Sequence, residues 1–254
     1  MRCDIFIKGC REQLNWLCYC LQFIQKNWQH KDSQIIVMLD RNCADAVVGW
    51  GVEAQYIFVD PWPDRYMHAL WCKATADRYT DADMILIMDS DHLMTSPCGF
   101  SDLMEGGKPV IEYVRWEHES REVARRIWPR VVQESTGLDL PVDYMVKPDW
   151  LFWRSTFAGA RLLLETFKRK PFDEAVYSEA PYDWTRYEAH PFTFCDLENL
   201  ALYGVLHESD KYFLWDTEEI TYTGRIPRPN PIKDYWSHTP FDTVRPELDR
   251  LLAT

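Results

Sequence analysis

No glycine-rich phosphate loop runs through this chain: neither Gly-x-Gly-x-x-Gly nor Gly-x-x-x-x-Gly-Lys-Ser/Thr occurs. Dinucleotide-binding folds and P-loop enzymes thereby lose their main backbone cradle for phosphate. Long apolar runs are missing too. None approaches the ~18 residues that span a bilayer, and Met1-Arg2-Cys3-Asp4 leads into a strand-like segment without a signal-peptide pattern. The expected address is the cytoplasm, with no membrane span. The eight cysteines, at 3, 10, 18, 20, 43, 72, 98 and 195, form no Cys-x-x-Cys pair and no zinc-ribbon spacing. Most sit in apolar patterns, which predicts buried free thiols and a reducing compartment. Positive charge is also scarce: 28 Lys and Arg face 40 Asp and Glu, a formal charge of −12. That balance disfavours indiscriminate binding to a phosphate backbone.

What is present centres on Met84-Ile85-Leu86-Ile87-Met88-Asp89-Ser90-Asp91. An unbroken apolar run of this length predicts a strand buried on both faces of a parallel sheet. Such sheets hold ligands at the C-terminal ends of their strands, where this one ends in two carboxylates. Asp-x-Asp offers hard oxygen ligands suited to Mg²⁺ or Mn²⁺ shared with substrate phosphates. The same pair, out of context, also decorates ordinary turns.

The first half alternates strands and helices. Strands are expected at residues 4–7, 34–39 and 55–59 and in the apolar run that begins at Met84, with helices over about 12–28 and 66–79. The helical faces are Leu14, Leu17, Leu21, Ile24, Trp28 and Met67, Leu70, Trp71, Ala74. This order predicts an α/β fold with a mostly parallel, Rossmann-like sheet flanked by helices. Parallel strands share a rim, so Lys8, Asp40, Asp60 and the Asp89/Asp91 pair are expected to converge. Twelve of the fifteen prolines lie from Pro109 onward, which predicts a less regular second half. With no repeat or linker, the chain reads as one domain, 1–254, with a nucleotide-binding half, 1–108, and an acceptor-binding half, 109–254.

Without glycine loops, a metal must neutralise much of any bound phosphate charge. That points to a sugar-nucleotide or nucleotidyl donor. On Asp89-Ser90-Asp91, the βαβ-type first half and the helix bearing Lys73, the chain resembles the GT-A nucleotide-sugar glycosyltransferases. The stretch 65–91 is similar to capsule-type and uncharacterised bacterial or phage transferases. The resemblance implies a single GT-A-like domain, a UDP-sugar or similar donor, and Mn²⁺ or Mg²⁺. It implies metal contacts from Asp89, Asp91 and His238, and donor contacts from Lys73 and Asp89, while the shared rim is expected to bring Lys8 and Asp40 to the same nucleotide. His238 stands in Tyr235-Trp236-Ser237-His238, and a lone His is also often structural.

An inverting transfer needs a base for the acceptor hydroxyl. Asp196 and Glu198, in Phe194-Cys195-Asp196-Leu197-Glu198, open an expected helix whose N-terminus favours ionised carboxylates. Asp196 could equally cap that helix. The acceptor is a glycan or, given Lys147, Arg154, Arg161, Lys168, Arg169 and Lys170 with Trp150 and Trp153 among them, a modified pyrimidine in phage DNA. A solvated helix accounts for the same charges. Trp116, Trp128, Trp184 and Trp236 add aromatic surface able to stack on rings. Two other readings stand beside transfer of a sugar: a nucleotidyltransferase acting on a sugar phosphate, and a binding module without turnover.

Overall fold

The structure, a computed structural model, describes residues 1–119, 122–144, 146, 150–179, 183, 192–217, 231–235 and 239–253. Strands β1 (Cys3–Gly9), β2 (Ile35–Asp40), β3 (Gln55–Val59) and β4 (Met84–Asp89) lie parallel in the order β3-β2-β1-β4. The expected α/β sheet is present. It is mixed, because a strand from the second half pairs antiparallel with β4.

Alternation along the strands divides the core between two faces. Ile5, Ile7, Val37, Leu39, Met84, Leu86 and Met88 pack with Leu17, Leu21 and Ile24 of α1 (Leu14–Asn27). Phe6, Ile36, Met38, Ile85 and Ile87 face the other way, toward α2 (Arg65–Ala74). Strands buried on both sides must be apolar throughout, which is why β4 reads as a continuous run. Asp64 caps α2 by accepting from the Met67 amide at 3.0 Å. The helix expected over 66–79 stops at Ala74. The Thr75 hydroxyl donates to the carbonyls of Trp71 and Cys72 at 3.0 and 3.1 Å, and a 3-10 turn, Ala76–Tyr79, follows. Back-bonding of this kind competes with the regular helical ladder.

The second half supplies β5 (His92–Met94), β6 (Met104–Glu105), β7 (Lys108–Arg115), α3 (Glu122–Thr136), β8 (Val142–Asp143), β9 (Trp150–Trp153), α4 (Arg154–Lys168), α5 (Phe172–Val176), α6 (Asp196–His207), β10 (Phe213–Asp216), β11 (Ile232–Asp234) and α7 (Phe241–Ala253). The strand that closes on β4 is β9. Around β7 gather β10, parallel, and β6 and β8, antiparallel, while β11 pairs antiparallel with β5. α4 and α6 approach closely: a Cβ on Gly159 would lie 2.0 Å from the Tyr203 ring, so only glycine fits there. This contact seats α6 against the sheet face that carries α2. α7 folds back on α1, where Lys26 Nζ donates to the carbonyls of Leu251 and Leu252 at 2.9 and 3.0 Å and Phe241 meets Trp16 edge-on. Ile232, Tyr235 and Leu248 thereby join the same apolar cluster as β1 and α1.

All eight cysteines are free, and six are buried. Among the described residues no helix is long and apolar enough to cross a membrane.

Candidate functional site

The strand order reverses between β1 and β4. From β1 the sheet steps outward to β2 and β3, and α2 then carries the chain back to β4 on the other side of β1. A crevice opens at the C-terminal ends of the strands at such a point. Lys8 and Asp89 are register partners across it.

Lys8, Asp40 and Asp89 each follow an inward apolar residue by two, namely Phe6, Met38 and Ile87. Strand periodicity therefore aims all three at the α2 face. Lys8 Nζ donates to Asp40 Oδ1 at 2.7 Å and to the Gly9 carbonyl at 2.8 Å, and both charged side chains are buried. Asp60 does not join them. It follows the inward-facing Val59 by one residue, is exposed, and pairs with Arg41 Nε at 2.7 Å. The expected four-strand convergence is thus a three-strand one.

Helix α2 contributes two more groups. His68 lies under Trp62 and Trp71, with ring centroids 5.1 and 5.9 Å away, and its Nδ1 is 3.6 Å from Asp40 Oδ1. Burial, then the nearby Lys8 charge, pushes its pKa down to about 4, so the ring is neutral and the Asp40 contact is no ion pair. Lys73 Nζ lies 3.1 Å from Asp89 Oδ1 and 3.4 Å from Asp196 Oδ2. Burial alone would discharge Lys73, but the Asp196 and Asp89 carboxylates outweigh it and hold the ammonium form. Burial likewise disfavours the Asp89 carboxylate, and Lys73, then His92, reverse that to keep it ionised.

Asp196 is the first residue of α6 and fully buried, and among the described residues its carboxylate oxygens find no partner at good hydrogen-bond geometry, Lys73 Nζ standing 3.4 Å away. It does not cap its helix; the capping position belongs to Cys195, which makes no side-chain cap bond. Burial raises the Asp196 pKa to about 6, with Lys73 opposing and Asp89 adding to the rise. Glu198, also fully buried, turns elsewhere: its two oxygens accept from the Tyr144 amide at 3.2 and 3.4 Å.

Beyond β4 the chain makes a tight turn through Ser90 and Asp91 into β5. Ser90 Oγ donates to Gln13 Oε1 at 3.0 Å, and the Asp91 carbonyl accepts from the Tyr235 amide at 3.2 Å. The turn folds His92 back onto Asp89. The Asp89 amide donates to His92 Nδ1 at 3.2 Å, and the imidazole packs 5.1 Å from the Trp150 ring. Asp89, Asp91 and His92 present carboxylate and imidazole atoms within 4.8 Å of one another. Opposite ligands of one Mg²⁺ or Mn²⁺ ion span ~4.2 Å, so two carboxylates at this separation suit such a cation after a small closure.

Comparison with protein-family models and with curated proteins returns no match for this chain. Its chemistry must be read from its own geometry.

Of the residues expected from sequence, Lys8, Asp40, Lys73, Asp89, Asp91 and Asp196 gather at this crevice. His238, Lys147, Trp184 and Trp236 lie outside the described residues. In the basic segment, Arg161 is committed to Asp77 and the Ala74 carbonyl, while Arg154 and the 168–170 cluster stand at opposite ends of α4. Trp116 and Trp153 donate to the carbonyls of Leu140 and Lys211, and Trp128 is buried. Trp150 reaches the site, 5.8 Å from Lys73 Nζ. Sequence reasoning missed His92 and His68. Each carried a signal: His92 is three residues past Asp89 across a turn, and His68 sits one helical turn past the Asp64 cap.

Proposed function

We propose that this protein is a metal-dependent glycosyltransferase of GT-A type, moving a sugar from a nucleotide-sugar, with UDP-sugars foremost, to an acceptor hydroxyl. One observation carries the reading: the Asp89, Asp91 and His92 cluster lies at the reversal of strand order, flanked by Lys8 and Asp40 on one side and Lys73 and Asp196 on the other.

Asp89 and Asp91 would hold Mn²⁺ or Mg²⁺. Bound there with the donor's diphosphate, the ion stabilises the negative charge that builds on the leaving group. Lys73 adds a second positive charge beside Asp89, from within the protein and without needing to be ordered. Asp40 and Lys8 form the wall where the nucleoside rests. Asp196, with a pKa near 6 and the Lys73 ammonium 3.4 Å from its Oδ2, is suited to accept the acceptor's proton near neutral pH. Glu198 holds the Tyr144 amide. The acceptor side is a glycan, or a modified pyrimidine in DNA.

Incubation with UDP- and GDP-sugars plus Mn²⁺ should give slow donor hydrolysis that Asp91→Ala abolishes. A folded protein that binds no nucleotide-sugar under these conditions contradicts the proposal. Pyrophosphate released from a nucleoside triphosphate and sugar phosphate would identify nucleotidyl transfer instead. Donor binding unchanged by chelation would identify a binding module.

A further inference from the structure

The cluster of Asp89, Asp91 and His92 has the composition of a three-ligand metal site, yet the hydrogen bonding of His92 argues for a different task. A neutral imidazole has one protonated and one bare nitrogen, and the bond made by one fixes the state of the other. His92 Nδ1 accepts the Asp89 amide proton at 3.2 Å, so Nδ1 is the bare nitrogen. The proton then sits on Nε2, the nitrogen that faces Asp89 Oδ2 at 4.0 Å. A protonated nitrogen has no lone pair for a metal. To ligate through Nε2, the ring would have to give up its bond to the Asp89 amide.

The ring is also held in place. His92 is 4% exposed, packs against Trp150, and lies in β5, where it is the register partner of Asp234 in β11. Rotation that would present Nδ1 to the carboxylates breaks the amide bond and disturbs this packing. At 4.0 Å, Nε2 is too far from Asp89 to be satisfied by it. An N–H that faces Asp89 Oδ2 from 4.0 Å, beside a candidate site for a cation, is well placed to meet an anionic oxygen that arrives with the cation.

We propose that His92 is a hydrogen-bond donor to the diphosphate of the nucleotide ligand and not a ligand of the metal. This rests on the reading of the site as one for a metal and a nucleotide-sugar. The metal is then held by Asp89, Asp91, phosphate oxygens and water, and His92 Nε2–H binds a phosphate oxygen of the same complex. Its role is to position the leaving group.

Nitrogen-15 NMR of the metal-free protein reads the tautomer directly in neutral buffer, whatever the protein's activity. The Nε2–H form of His92 is expected, and the Nδ1–H form overturns the proposal. Electron paramagnetic resonance then follows Mn²⁺ binding with and without UDP in the wild type, His92→Gln and His92→Ala. Gln can place an amide N–H near the position of Nε2. Expected results are similar Mn²⁺ affinity in all three without UDP, a loss of about tenfold in UDP affinity in the alanine variant, and recovery in the glutamine variant. Spin-echo spectra of bound Mn²⁺ should lack coupling to a histidine nitrogen. Such a coupling, or loss of Mn²⁺ binding alone in folded His92→Ala, overturns the proposal. A wild type that binds neither Mn²⁺ nor UDP removes the nucleotide-sugar reading and this role with it, while the tautomer still reports the geometry.

Discussion

Lys73 and Asp196 meet at 3.4 Å in the protein interior, one from α2, the helix before β4, and the other from the first residue of α6. Lys73 is also the cation nearest Asp89, so one ammonium serves two carboxylates. Lys73→Met leaves both without that charge. Breaking a buried pair by removing one partner costs about 3–5 kcal/mol. A loss of that order in urea unfolding is expected, with part of it regained in Lys73→Met/Asp196→Asn. A double variant no more stable than Lys73→Met alone would contradict the coupling.

Asp196 and His68 give opposite pH dependences. Asp196 has a folded pKa raised to about 6 by burial, above the ~3.9 of an unfolded Asp. The folded state then binds the proton more tightly, so this group's contribution is most favourable below about pH 4 and is lost as pH rises through 6. His68, neutral down to about 4 because of burial, is protonated more easily in the unfolded chain, near ~6.5. Its contribution is present above that value and is lost as pH falls toward 4. Each effect is worth roughly 3 kcal/mol over its full window. Asp196→Asn should therefore steepen the acid sensitivity left by His68, and His68→Gln should flatten it. Thermal unfolding from pH 4 to 7 measures both slopes.

On the proposed reading, Asp196 acts as base and Glu198 as support, and the two roles are separable. Asp196→Asn should lower transfer to acceptor by about 10²–10⁴-fold while sparing Mn²⁺ binding. Glu198→Gln keeps an acceptor for the Tyr144 amide and should retain most activity. Glu198→Ala leaves that amide without its partner and should cost about 1–3 kcal/mol of stability. Transfer abolished in a stable Glu198→Gln protein would reassign the base.

If the acceptor is DNA, the phosphate contacts must come from few cations. Arg161 is committed to Asp77, and Lys168, Arg169 and Lys170 lie some 20 Å along α4 from Arg154. Affinity for duplex DNA should then fall with salt at a slope of about −3 or shallower. A steeper slope would require a basic surface elsewhere.

The sheet and the rim were legible because both rest on periodicity. A strand buried on both faces must be apolar throughout, and the rule of two then assigns Lys8, Asp40 and Asp89 to one face once Phe6, Met38 and Ile87 are known to point inward. Asp60 was misplaced by treating strand ends as equivalent, although its offset from Val59 turns it to the opposite face. His92 was missed because a turn brings it back to Asp89, and turn geometry is not written in hydrophobic pattern. The antiparallel edge at β9 was equally hidden, since pairing between distant segments leaves no local trace.

The bond from the Tyr235 amide to the Asp91 carbonyl, together with the β5–β11 pairing, ties the carboxylate turn to a segment far along the chain. When the four parallel strands have left the ribosome, neither β9, which completes the sheet, nor the segment that braces the turn has been made. The turn that carries Asp89 and Asp91 is therefore braced by chain distant in sequence, through contacts of the kind that form late in folding because the loop they close is long.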